Sequence, residues 1–318
     1  MVCPTKFRKQ SPKQSQDGLM KSSQGSKRYL VAGTALAAAA IVFGLAPIPM
    51  PKTGELIAIV RNSAPAHGIA DLAYDIAGVR AGERDVPHVF LASLPADLAT
   101  MEASAQRKDM FVAMILPLVL RANDEIAANR ARLMEIVARV NAEARLVAED
   151  RLWLIAIGER YDTDPTDLVE LSRRIDVVPP SLALAQAAEE SGWGTSRFAH
   201  QGNALFGQRT GAGTAGVEGL KPAQRSAAEN FRVRAYGDLG EAVRSYTHNL
   251  NTHPAYARFR KERARQRAAD KPIDGHLLAG TLLRYSERGD DYVLTLRRLI
   301  RGNRLADFDK ARLGDPAI

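Results

Sequence analysis

Cysteine is almost absent from this chain. Cys3 is the one thiol in 318 residues, so an intramolecular disulfide and a thiolate metal cluster are both excluded. For an exported chain, that absence fits a bacterial periplasm better than a eukaryotic secretory route. Metal-ligating histidine patterns are missing too. Of six histidines, His248 and His253 come closest to a pair, yet they lack the four-residue helical spacing and acidic helper of a zinc protease, and no metal or cofactor is expected. Excess charge is scarce once it is located. Lys6, Arg8, Lys9, Lys13, Lys21, Lys27 and Arg28 face Asp17 alone, so residues 1–28 hold +6 of the net +8. The rest is close to neutral and calls for no nucleic acid or other polyanion.

The basic tail is explained by the segment after it. Tyr29–Ala46 (YLVAGTALAAAAIVFGLA) carries no charge and sits between Lys27–Arg28 and the prolines of 47–51. About 18 apolar residues make a short membrane anchor or the apolar part of a signal sequence. In either case the positive residues stay in the cytoplasm and everything beyond residue 51 is exported. The expected place is thus the bacterial inner membrane, crossed once with the body of the protein in the periplasm, or the periplasm itself after cleavage. Residues 52–95, broken by Gly54, Pro65, Gly68, Gly78, Gly82, Pro87 and Pro95, read as a loose stalk. A helical extension over 96–160 comes next, with apolar residues at three- and four-residue spacing and Pro117 kinking or dividing two helices.

The chemistry gathers in Ser181–Gln208, SLALAQAAEESGWGTSRFAHQGNALFGQ. Pro179–Pro180 ends the preceding segment and Ser181 can cap a helix. Gly192 and Gly194 break that helix on either side of Trp193. Glu189 and Glu190 therefore fall in its last turn. A carboxylate there is raised in pKa by an apolar neighbour such as Trp193 and by the negative helix end, which suits a donor of a proton to a glycosidic oxygen. Downstream, Thr210–Glu229 is poor in helix pattern and Asn230–Tyr236 alternates as a strand does, so a small hairpin forming one wall of a cleft is expected. Asp238 caps the next helix, Asn249–Tyr256 (NLNTHPAY) reads as a loop or break, and Tyr256–Arg267 is a strongly basic helix. Its charges read first as a solvated face, and second as a contact for anionic peptide stems or lipid. His276–Arg284 and Tyr292–Arg301 close the domain.

The pattern A-x-E-S-G-W-G-x-S followed by G-N-x-L-F-G resembles the glucosaminidase domain of bacterial peptidoglycan hydrolases, a glycoside hydrolase family. With NLNTHPAY and YSERGDDY downstream, the chain is most similar to the Bax group of that family, from about Val86–Thr100 to about Asp309. The resemblance implies a mainly helical, lysozyme-like two-lobed domain over 161–309 with a small β-hairpin lobe, acting on the GlcNAc–MurNAc bonds of peptidoglycan glycan strands. It implies Glu190 as general acid, and Glu229 as the second carboxylate, with Glu218 its competitor. Tyr285 matches a recurrent site tyrosine. Trp193, Asn203, Phe206 and Tyr236 are the implied substrate-binding residues, and Ala204 stands where the family has a second Asn. Two rivals remain: a lytic transglycosylase, which uses one Glu in a similar setting, and a non-catalytic glycan-binding envelope protein.

Overall fold

A computed structural model of the chain describes residues 74–102, 104–211, 219–221 and 231–315. In chain order the helices are Ile76–Ala81 (α1), Ala105–Asn141 (α2), Ala148–Arg160 (α3), Leu168–Arg174 (α4), Pro180–Ser191 (α5), Arg197–Gly202 (α6), Leu239–Thr252 (α7), Ala257–Ala268 (α8), Gly275–Ala279 (α9) and Asp290–Gly302 (α10). Three short strands, Arg209–Gly211 (β1), Gly219–Leu220 (β2) and Phe231–Arg234 (β3), make one antiparallel sheet in the order β1-β3-β2. The fold is thus mostly helical with a small sheet. The expected hairpin is a three-stranded sheet instead, because β3 pairs with both neighbours, Thr210 opposite Arg232 on one side and Leu220 opposite Val233 on the other.

Helix α5 has no polar face until its last turn, and the fold is wrapped around it. Pro180 through Ala188 and Ser191 are all buried, as expected of a helix apolar on every side. It packs against α2, α9, α10 and a closing 3-10 turn at Leu305–Lys310. That turn supplies its cap: Asp309 accepts hydrogen bonds from Ser181 N at 2.7 Å and Ser181 Oγ at 2.8 Å. A carboxylate there answers the free N–H groups of the helix start. Gly275 makes room for it, since a Cβ at 275 would lie 2.2 Å from Ser181 Oγ.

The long helix α2 begins at Ser104, whose side chain accepts from Arg107 N. It continues through Pro117 rather than dividing there. Residues Met110–Leu120 are all buried, and packing on both sides of the proline outweighs the roughly 3 kcal/mol that an interior proline costs. The first half of α2 belongs to the main core with α5, α7 and α10. The second half (Ile126, Leu133, Ile136) joins a smaller cluster with α3 and α4. Residues 96–160 are therefore not a separate extension, because one helix serves both clusters.

Two further expectations change. Residues 74–95 are not stalk: Val79, Val86 and Leu94 are buried, and Val86 forms a parallel bridge with Leu313. The Gly and Pro residues there punctuate a packed segment. NLNTHPAY is helix as far as Thr252, with His253 capping the turn after it. Residues 52–73 and the 29–46 anchor or signal segment lie outside the described residues. Among those described, no helix is long and apolar enough to cross a membrane.

Helix α8 is less solvated than its composition suggests. Arg260, Arg263 and Gln266 are buried. Arg263 donates to the carbonyls of Arg173, Asp176 and Val177 at 2.8–2.9 Å, and Arg267 forks onto the Asp176 carboxylate at 2.7–3.2 Å. With Arg130 at 3.6 Å, three arginines converge on Asp176, itself 2% exposed. Burial pushes that carboxyl up, but the Arg267 hydrogen bonds and the charges of Arg263 and Arg130 outweigh it and hold it below the usual carboxylate range.

Candidate active site

Glu190 is the penultimate residue of α5, where the helix leaves the core. Three left-handed residues then turn the chain, Gly192 (φ 60°), Trp193 (φ 57°) and Gly194 (φ 78°). Ser191 Oγ accepts from Gly194 N at 2.9 Å and locks the turn. Glycine is required at 194 by space as well as angle, because a Cβ there would lie 2.7 Å from Leu98 and 3.0 Å from Phe111. The sequence E-S-G-W-G is thus a helix stop that fixes how Glu190 emerges.

The Glu190 carboxyl is half-buried and receives a hydrogen bond from the Tyr292 hydroxyl of α10. Tyr292 is oriented from behind. Gln186 Nε2, one turn before Glu190 on α5, donates to the Tyr292 oxygen at 3.0 Å, and the Tyr246 hydroxyl of α7 donates to Gln186 Oε1 at 2.7 Å. With its oxygen already accepting, Tyr292 has its own proton free to donate forward to Glu190. On the other side Gly207 (φ 60°) leaves the space that the carboxylate fills, since a Cβ at 207 would lie 2.6 Å from Glu190 Oε2. Gly207 and Glu190 therefore belong to one design.

Burial pushes the Glu190 carboxyl up to about 7, and the Glu189 charge adds to the shift. The Tyr292 hydrogen bond and the charges of Arg288 and Arg209 pull it back in part. Neither arginine is spent on Glu190. Arg288 pairs with Glu189, and Arg209, at the start of β1, pairs with Glu287 at 2.9 Å. These two ion pairs tie the 285–289 loop to α5 and to the sheet. The result is a carboxyl that changes charge near neutral pH, the range in which a side chain can both hold and give up a proton.

Tyr285 lies at this site as a brace. Its hydroxyl donates to the Phe206 carbonyl at 3.0 Å, and its ring stacks on Tyr292 at 5.5 Å and meets Tyr256 at 5.8 Å. The other residues expected to touch substrate are turned to structural work. Phe206 is 1% exposed and stacked on Tyr246 at 3.9 Å, so it forms core beneath the site and cannot meet a sugar. Asn203, in the left-handed position that ends α6, donates to the Tyr236 carbonyl at 3.1 Å, and its Oδ1 is buried without a partner. Tyr236 is itself buried, with its hydroxyl between Gln208 and Ser245. Ala204 is buried at 3% exposure. Trp193 packs edge-on against Phe111 and beneath Lys108, while Tyr256, Tyr285 and Tyr292 are near enough to Glu190 to feel its charge. Glu229 and Glu218 lie outside the described residues. Among the described residues no group of three His, Cys, Asp or Glu side chains could hold a metal ion.

Tyr292, Gln186, Tyr246 and Gly207 are the site residues that sequence reasoning left unassigned. Tyr292 closes YSERGDDY and Gly207 closes L-F-G, so both were visible as letters without a role. Gln186 offered one signal, an amide in a helix otherwise made of alanine and leucine at that depth.

Residues 166–305 match the family model described as mannosyl-glycoprotein endo-beta-N-acetylglucosaminidase. Protein bax of Escherichia coli (strain K12) is 32% identical over 210 residues, covering 63% of this chain and 71% of that protein. Among solved structures, the catalytic domain of the autolysin Auto from Listeria monocytogenes is similar at 18% identity and a TM-score of 0.32, covering 55% of this chain and 96% of that one.

Proposed function

The chain belongs to the glucosaminidase family, as a relative of the Bax protein, and on that premise we propose that it hydrolyses the glycan strand of peptidoglycan as an endo-β-N-acetylglucosaminidase. The bond cut is the one after GlcNAc in the GlcNAc–MurNAc repeat. The observation that supports this most is a Glu190 carboxyl raised to about 7 at the end of a buried helix. Glu190 gives its proton to the glycosidic oxygen as the bond to the anomeric carbon breaks, and the leaving strand departs as an alcohol. Water completes the reaction at the anomeric carbon, assisted by a second carboxylate, for which Glu229 is our assignment, or by the substrate acetamido oxygen. Tyr292 steadies the Glu190 carboxylate left behind. The basic tail and apolar segment of residues 1–46 support a place at the periplasmic face of the inner membrane.

The test is digestion of purified sacculi by the full chain and by its Glu190→Gln variant, with products identified by mass and reducing end. The reading expects products with GlcNAc at the reducing end, lost by at least about a thousandfold in the variant. Anhydro-muramic ends would replace it with a lytic transglycosylase. Absence of any product from the wild-type protein would overturn it.

A further inference from the structure

On its outer side, helix α8 borders a groove of about 360 Å³ that faces α9 and α10. Arg258, Lys261 and Arg265, spaced three and four residues apart, present one face of α8, and Arg297 of α10 enters from the opposite wall. One acid lines the groove, Glu262, and it is already held by Arg265 at 2.7–2.9 Å and by Gln266. Arg258 and Lys261 are exposed and form no ion pair among the described residues. Arg297 is set in place: its Nε donates to the His276 carbonyl at 3.2 Å, and its guanidinium lies where a Cβ on Gly280 would be, 2.5 Å away. The remaining wall is apolar, with Leu277 49% exposed. A concave surface with surplus cations, one of them set in place, and an exposed leucine suits a short peptide that carries carboxylates beside small apolar side chains.

Two short stretches of chain connect the groove to the site. Arg258 is two residues from Tyr256, whose ring meets Tyr285, and Thr281, at the groove's other edge, is four residues from Tyr285. Four residues span at most about 14 Å, which is within the reach of an extended peptide of four or five residues. We propose that this groove binds the acidic peptide stem of a peptidoglycan strand lying in the Glu190 cleft. The proposal rests on the glucosaminidase reading and names the part of the substrate that lies outside the glycan. Its recognition is electrostatic and apolar together: stem carboxylates meet Arg258, Lys261 and Arg297, and alanine methyls meet Leu277. A membrane surface would contact a convex cationic face instead.

The test uses the full chain and an Arg258→Glu/Lys261→Glu variant, both surface positions outside the site. Two substrates are compared, glycan strands bearing stems and the same strands stripped of peptide by an amidase. The expected result is a KM for stem-bearing strands about five- to tenfold higher in the variant, with kcat and the rate on stripped strands unchanged. Equal KM values for wild type and variant on stem-bearing strands would overturn the proposal while leaving the glucosaminidase reading intact. A second measurement needs no hydrolysis: titration of the Glu190→Gln chain with free stem tetrapeptide should show saturable binding that weakens with salt and disappears when Arg258 and Lys261 are also replaced. Binding to phosphatidylglycerol vesicles that falls in the variant, with no peptide binding by either protein, would overturn it in favour of a lipid contact.

Discussion

Two carboxylates in this protein, Asp176 buried and Glu190 half-buried, have moved in opposite directions. Asp176 and Glu190 are both taken out of water, which alone would raise both. At Asp176, Arg267, Arg263 and Arg130 reverse the effect. At Glu190 the direct partner is a neutral hydroxyl, while the nearby arginines are engaged by Glu189 and Glu287. The contrast separates a carboxylate held in its charged form by arginines from one whose protonated form is favoured. Desolvation is common to both, and the placing of cations decides between them.

The strongest way to break the comparison is Asp176→Ala. It leaves Arg263 buried with its charge uncompensated, and should cost about 3–5 kcal/mol of stability in urea unfolding. Because the folded pKa of Asp176 is depressed, its contribution is full above the ordinary value of 3.8 and is lost as pH falls below that. The wild type should therefore lose more stability than the variant on acidification, and a difference independent of pH would remove the linkage.

Glu190→Gln should do the reverse. A folded pKa near 7 against 4.5 unfolded means that the wild type loses stability as pH rises from about 4.5 to 7. The variant, which mimics the protonated acid, should be more stable than wild type by roughly 3 kcal/mol at pH 8, and equal to it below pH 4.5. A variant less stable than wild type at pH 8 would mean that the carboxylate is favourably held, contrary to its environment.

The smallest effect sharpens the comparison most. Tyr292→Phe removes the hydrogen bond that lowers the Glu190 pKa, so the alkaline limb of kcat/KM should move upward by about half to one pH unit. The same limb unmoved, with only stability reduced, would make Tyr292 a packing residue.

How much could be read from the sequence depends on the range of the interactions. Glu190 and its turn are local: proline before the helix, glycines after it, and the acid in the last turn. The cap of α7 at Asp238 and the strand over 231–234 are local in the same way. The Tyr292 contact was not legible, because it depends on Gln186 106 residues earlier. Arg260 and Arg263 sit in a helix so basic that composition alone assigns them to solvent. The burial of Arg263 answers carbonyls some 90 residues upstream that need donors. Phe206 misled for a related reason, since a motif marks residues that must stay near the site and does not say whether they face substrate or core. Residues 74–95 misled because glycine and proline punctuate packed segments as readily as loose ones.

The cap on α5 also sets an order of assembly. Asp309 holds the start of the helix from 128 residues downstream, and Tyr292 holds the acid at its end from about a hundred. Contacts of such sequence separation form late, because the loops they close must be ordered first. A nascent chain that has emerged only as far as residue 290 contains Glu190 and the whole E-S-G-W-G turn, yet has neither the hydroxyl that orients the acid nor the carboxylate that anchors its helix. The complete setting of Glu190 is therefore among the last features this chain acquires as it folds.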